Sequence, residues 1–558
     1  MLPKINSKEN KKSYIKGFGG LDRRQIISDF SLSETYNISC DDYPALSPCR
    51  ESKIIADAES AQAICPPEYA ESELTSFTGV MDNKFIYKGE VIEGTLTDGE
   101  KSIADFNGKI CIFPDKVYYD YLPDSKTGEI SKTLVSMEKS LSVSGAKFYS
   151  AQNNITGEYT SYISADKAGF TSSFKTGDSI IISGCSKPEN NVVVIESRKD
   201  TSSEDAIVSA VITKITDKRI DLMLYKKGGE KAEFSNVTES GKITLKLAVP
   251  QMDHICVHNN RLWGTSSSGE YIYASKLGDA TNFNSFQGLS DDSWYSYVAT
   301  GGKFTGICSY RTSVVAFKEN CIHHVYGDSP RNFSIPKHTK SGCIDGRSIC
   351  EIGGVLYYLS SRGFYAYQGG EPYHISPVLN REYSFCTGET DGMHYYLSAT
   401  TADNVTDFMV YTPDKNIWLK RDNTRFIDMC SYNGRVYGLA DNKMLLLNGG
   451  NKAENWYAST KAFSYDTFDF KGVYEVFVRA FINKSASIKV LISFDHKNWA
   501  ECGSITGDGC LSSYRIPVRF KKCDNFKLRL CGKGDAVIHN VEIINYKGGR
   551  NNGQNYER

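Results

Sequence analysis

Along most of the chain, apolar and polar residues alternate in short runs punctuated by Gly, Asn and Asp, the pattern of half-buried strands separated by turns. A helical period is scarce, and one short helix is predicted around Asp57 to Ile64. An internal repeat organises the rest. Gly354 to Gly370 (GVLYYLSSRGFYAYQGG) aligns without gaps on Gly434 to Gly450 (GRVYGLADNKMLLLNGG), placing Tyr357 on Tyr437 and Leu359 on Leu439. Each copy reads as a strand, a polar turn, a second strand and a Gly turn. Weaker copies begin at Asn107, Asn260, Tyr310 and Gly392, with an earlier hairpin from Asp82. Hairpins recurring at roughly 40 residues mark propeller blades or related β-arrays. A lone hairpin cannot bury its aromatic face, so neighbours must stack on it. About seven units predict a closed propeller of that order or fewer, with one blade shared between the chain ends.

The same pattern divides the chain. Residues 1–60 read as an extended N-terminal arm, 61–135 as the first blades, and 251–455 as the main blades. Between them, 136–250 lacks the blade pattern and predicts a small inserted β-barrel or sandwich. Residues 456–547 contain IKVLISF, YRIPVRF, FKLRL and AVIHNVEII, whose period-two alternation predicts a C-terminal β-sandwich. The polar end, 548–558, is expected to fray. The expectation is an all-β chain, a propeller-like platform with two further β-domains.

Composition agrees and excludes several classes. At 558 residues, and roughly 150 per domain, the chain calls for several cores. Its 65 basic and 66 acidic residues leave a net charge of −1, which excludes a strongly basic nucleic-acid coat and a polyanionic tail. The 47 Gly and 35 Tyr suit turns and pleated surfaces, and alternating Tyr in the blades reads as core packing. No apolar run is long enough for a membrane helix, and the N-terminus lacks the apolar core of a secretory signal. The 16 Cys are scattered without a C-x-x-C, so they read as buried, reduced thiols.

Tests for familiar chemistry are negative. Gly17-Phe-Gly19-Gly20 is not followed by a helix pattern, and Thr238 to Ile243 lacks the spacing of a phosphate-binding loop. No G-x-S-x-G or H-E-x-x-H occurs. His254 and His258 share a strand face about 13 Å apart, too far for one metal. His323 and His324 point to opposite faces. Ser493 to Trp499 is similar to the Asp-box hairpin of sialidase-type propellers, with Lys497 in place of its Gly, and predicts a turn. Carboxylates are plentiful, but no local constellation nominates an acid/base pair. No catalytic residue, cofactor or metal ligand is expected.

One ordered set of strings has a counterpart elsewhere. Asn260-Arg261-Leu262-Trp263, then Ile272 to Ser275, then Gly278 to Asn284, resembles the tail nozzle (tail tubular protein B) family of short-tailed bacteriophages. Phe317-Lys318-Glu319, Val325 to Asp328 and Ser341-Gly342-Cys343 continue the likeness. Gly19 to Arg24 and Asp42 to Arg50 are similar to the opening arm of such phage and prophage proteins. The resemblance implies a virion protein assembled in the host cytoplasm, with no enzymatic activity. It implies a ring, as a homohexamer, beside an adaptor or connector and tail fibre or spike proteins. Double-stranded DNA passes through the ring's channel, and the host surface is a further contact. Arg23, Arg24, Tyr43 and Arg50 are the docking residues expected on the arm. The alternative expectation is a propeller that binds surface glycans through its C-terminal sandwich. A glycoside-cleaving propeller would require two or three carboxylates converging on the axis.

Overall fold

The computed structural model describes residues 10–65, 73–123, 128–152, 155, 159–193, 206–226, 229–336, 338–453 and 455–547. The hairpin units are four-stranded antiparallel sheets, and seven of them close into a propeller. Blade 1 is Ala61–Ile64, Gly79–Met81, Lys84–Tyr87 and Glu90–Val91. Blade 2 is Ser102–Phe106, Lys109–Phe113, Val117–Asp120 and Val135–Ser136. Blades 3 to 6 follow after the insertion, with innermost strands Met252–His258, Phe304–Tyr310, Cys350–Ile352 and Phe385–Thr390. Blade 7 takes Asp428–Tyr432, Arg435–Ala440 and Lys443–Leu446 from the C-terminal side and its outermost strand, Lys53–Asp57, from the N-terminal side. The all-β expectation and the blade shared between the ends both hold.

Local chemistry explains the hairpins. Asn107, Asn259, Asn260, Gly353, Gly354, Asn433 and Gly434 take the left-handed backbone that two-residue hairpin turns demand. Side chains of consecutive blades then meet face to face, and each of the seven gaps holds one apolar cluster. The gap between blades 7 and 1 contains Tyr437, Leu439 and Met444 against Ile64, Phe77 and Ile86. Its Tyr437 hydroxyl accepts the Leu74 amide at 3.1 Å. The Tyr excess is spent here: Tyr358, Tyr367, Tyr395 and Tyr437 are among the most fully buried side chains.

Two expectations for the first 60 residues are corrected. No helix forms at 57–64, because Lys53–Asp57 is captured by Lys443–Leu446 and Ala61–Ile64 opens blade 1. Nor are residues 10–57 a free arm. Asn10–Ile15 pairs with Ala536–Lys547, and Leu32–Tyr36 pairs with Asn455–Thr460, so both are strands of the C-terminal sandwich. An isolated short strand gains little by itself, and long-range pairing supplies what the local pattern does not show. The sandwich core also takes Ile417 and Leu419 from blade 6, which seats it on the propeller through Ile38, Cys40 and Leu46.

The insertion is a separate core between two sheets. Its first and last long strands, Lys139–Ser144 and Lys242–Leu247, pair antiparallel and form the stem between blades 2 and 3. The predicted frayed end, 548–558, lies outside the described residues. No helix among the described residues is long and apolar enough to cross a membrane.

Candidate functional site

Propeller topology brings the starts of the inner strands together at one end of the axis, and charged residues collect there. Glu100 precedes the inner strand of blade 2, Asp345 and Arg347 precede that of blade 5, and Asp428 opens that of blade 7. Arg347 Nε lies 3.1 Å from Asp345 Oδ1 and 3.6 Å from Glu100 Oε1. Blades 2 and 5 are not neighbours, so the contact with Glu100 reaches across the axis. The Arg347 guanidinium also lies over the Phe385 ring, 4.5 Å from its centroid, and Arg425 approaches the same ring at 5.3 Å. Asp345 Oδ2 accepts the Cys386 amide at 3.1 Å, which fixes the carboxylate against blade 6.

Two carboxyls here hold protons unusually tightly. Burial pushes Asp428 up to about 6, opposed by amide donation from Ile64 and Met429 and by the Arg347 charge. Burial pushes Glu389 up to about 7, opposed by the Thr390 amide and reinforced by the charge of Asp428. His254 is shifted down by burial and donates Nε2–H to the Phe304 carbonyl at 3.2 Å. A protonated carboxyl near an ionised, Arg-paired one is the arrangement that separates acid and base roles in carboxylate chemistry. No local sequence pattern signals it, because its members lie on four blades.

A pH test follows. The Asp428 carboxyl titrates near 6 when folded and near ~3.9 when unfolded. The folded state therefore binds this proton more tightly, so the contribution is full below about pH 4 and lost as pH rises through 6. Asp428→Asn is expected to flatten the dependence of Tm on pH between about 4 and 6, measured by thermal melts across that range. An unchanged slope contradicts the assignment.

The expected docking residues fall elsewhere. Arg23 turns inward and bonds Asp407 Oδ2 at 2.8 Å, and Arg24 is held by both oxygens of Asp22. Tyr43 is exposed with Lys415 above its ring, 5.6 Å from the centroid. The Arg50 carbonyl accepts from Arg421 Nη2 at 3.0 Å. Arg23 is therefore an internal latch and not a docking residue, because a buried carboxylate claims its charge. The strings carrying the phage resemblance are structural as well. Arg261 is buried and donates to the carbonyls of Ser275, Ser290 and Asp292, fastening the loop 275–293. His254 and His258 serve separate partners, the latter through Nδ1 and Ser309 Oγ at 2.8 Å.

The C-terminal sandwich carries a cleft of about 830 Å³ lined by Phe494, Lys497, Asn498, Glu501, Arg519 and Phe520. One wall is the Asp-box-like hairpin, where Asp495 Oδ1 accepts the amides of Asp524 and Asn525 and Arg529 lies over Trp499. That hairpin is a turn, as its sequence predicts.

No family profile and no curated relative matches the chain. Among solved structures, an exo-beta-1,3-galactanase from Phanerochaete chrysosporium with galactose shares 8% identity over 52% of this chain and 95% of its own, at a TM-score of 0.21. A variant of that enzyme with beta-1,3-galactotriose matches at 8% identity over 72% and 100%, with a TM-score of 0.18. A protein described as a glycoside hydrolase matches at 11% identity over 60% and 97%, with a TM-score of 0.19. The expectation that the chain lies outside the enzymes is withdrawn, because Glu100, Asp345 and Asp428 bring carboxyls together at the axis, which is what a carbohydrate-cleaving propeller requires. Likeness at this level transfers no residue role and no substrate.

Proposed function

We propose that the chain is a ring-forming structural subunit of a bacteriophage tail, associating with copies of itself. The single observation that carries this reading is a pair of large apolar side chains held out on neighbouring loops. Ile26 is 91% exposed and Phe468 is 83% exposed, with Phe30 also exposed beside Asp29. The loops are tied together by the Lys461–Asp29 ion pair. Ile26, Phe30 and Phe468 group on these two loops, and a local group of exposed apolar side chains suits an association surface. Arg23 and Arg24 are engaged within the subunit, so contact with a neighbouring copy falls to the apolar tip. The ordered strings shared with tail nozzle proteins support the tail context. Because the propeller's own axis is crossed by Arg347 and Glu100, a DNA channel in this reading lies between subunits.

The test is the assembly state. Ile26→Asp combined with Phe468→Asp is expected to convert a ring into monomers by mass photometry, with Tm changed little because both residues are solvent-facing. Wild-type protein that stays monomeric at high concentration, and in purified particles, defeats the proposal.

A second reading is favoured by the sandwich cleft, where Phe494 and Phe520 stand beside Asn498, Glu501 and Arg519. Aromatic faces next to polar side chains suit a sugar ring. In this reading the chain is a propeller that binds surface glycans through its C-terminal sandwich. Binding on a glycan array that Phe520→Ala abolishes supports it; silence on a broad array opposes it.

A further inference from the structure

Two segments distant in sequence place metal-ligating side chains at one point where the N-terminal segment meets blade 6. Cys40 and Asp41 follow the short strand Ile38–Ser39, and His394 sits in the loop between Phe385–Thr390 and Tyr395–Thr400. One ligand atom from each lies within 4.8 Å of the others. The donors have an ordered surround. Asp391 Oδ2 is 2.9 Å from His394 Nδ1, while Asp391 Oδ1 accepts the amides of Met393 and His394 at 2.9 and 2.7 Å. The Tyr396 hydroxyl donates to Asp391 Oδ2 at 3.1 Å. Cys40 Sγ contacts Thr412 Oγ1 at 2.9 Å, and Lys415 Nζ donates to the Cys40 carbonyl at 2.9 Å.

We propose that Cys40, Asp41 and His394 form a zinc site that clips the N-terminal segment to blade 6. The chemistry of the donors selects the metal: one thiolate, one imidazole and one carboxylate are a borderline-soft set that suits zinc and disfavours calcium or magnesium. With Nδ1 engaged by Asp391, His394 presents Nε2 to the cluster. A carboxylate behind a ligating imidazole is the usual outer partner of such a ligand, fixing its tautomer and ring orientation. Bond lengths of about 2.0–2.3 Å to a tetrahedral centre place donors about 3.3–3.8 Å apart, close to the present spacing of at most 4.8 Å. Water completes the fourth position. Cys40 is buried and in no disulfide, so its thiol is chemically free to ligate. The position matters because Ile38, Cys40 and Leu46 are where the sandwich core meets blade 6.

The test uses the full chain, stripped of metal and titrated with zinc or cobalt. Wild type is expected to bind one equivalent of zinc by mass spectrometry of the eluted metal. The cobalt form should show a thiolate-to-cobalt charge-transfer band. Cys40→Ser should remove that band, and Asp391→Asn should weaken zinc binding about 10–100-fold. Asp41→Asn, at an exposed position, should also weaken binding and keeps the test valid if Cys40→Ser does not fold. Cys510→Ser, on the exposed surface, should change nothing. Folded wild-type protein that binds no zinc at micromolar free metal overturns the proposal. So does metal that stays bound at full affinity in the Asp41 and Asp391 variants.

Discussion

Asp407→Ala is expected to destabilise the chain by about 3–5 kcal/mol, measured by chemical denaturation, because it strands several cations around one vacated site. Asp407 is fully buried in blade 6. Oδ2 receives Arg23 at 2.8 Å, Arg381 at 2.7 Å and the Tyr383 hydroxyl at 2.8 Å, and Oδ1 faces Lys420 Nζ at 2.6 Å. Burial alone would raise this carboxyl. The hydrogen bonds and charges of Arg23 and Lys420 overcome that and hold it well below the usual carboxylate range. Its folded pKa is thus depressed, so its stabilisation is present above the unfolded value near ~3.9 and lost as pH falls toward the folded one. Arg23→Ala removes a single partner and should cost less. The double variant should show a coupling energy, since the two residues share one contact. Additive losses contradict a direct latch between the N-terminal segment and blade 6.

Much of the platform was legible in the chain because blade packing writes itself into local pattern. Asn-Gly and Gly-Gly turns, paired aromatic strands and the Gly354/Gly434 repeat all follow from a hairpin that must hide its face against a neighbour. A further register was present and unread. Cys256, Cys308, Cys350 and Cys430 each stand two residues before the turn that ends an innermost strand, where blade 2 has Ala104 and blade 6 has Gly388. Small side chains suit strands crowded around an axis. Reading Cys as a small apolar residue at a fixed offset would have exposed the repeat in four blades.

The sites were much less legible, for a topological reason. Glu100, Asp345 and Asp428 become neighbours only when the ring closes, and Cys40 meets His394 only because the N-terminal segment is woven back onto blade 6. No spacing rule reports such contacts. Arg23 shows the converse error. A basic pair at an exposed-looking arm suggests a partner, yet the partner is Asp407 of the same chain, far along in sequence. Ile26, whose apolar side chain faces solvent, carries no positional signature at all.

Removing residues 1–57 is expected to abolish the folded state rather than merely to block assembly. Ile15, Phe18, Leu21, Leu32, Ile38 and Leu46 are all buried, and each contributes roughly 1.5–3 kcal/mol when fully removed from water. Their loss is on the order of 10 kcal/mol, comparable with the whole stability of a typical domain at about 5–15 kcal/mol. The truncation also takes two strands from the sandwich and leaves Lys443–Leu446 as an open edge on blade 7, next to the gap that closes the ring. The expected product is insoluble, or lacks a cooperative melt followed by circular dichroism. A detachable docking arm predicts the opposite, a soluble monomer with an unchanged melt. That outcome would return residues 1–57 to the role their sequence suggests, and it would remove Arg23 and Cys40 from the interior of the subunit.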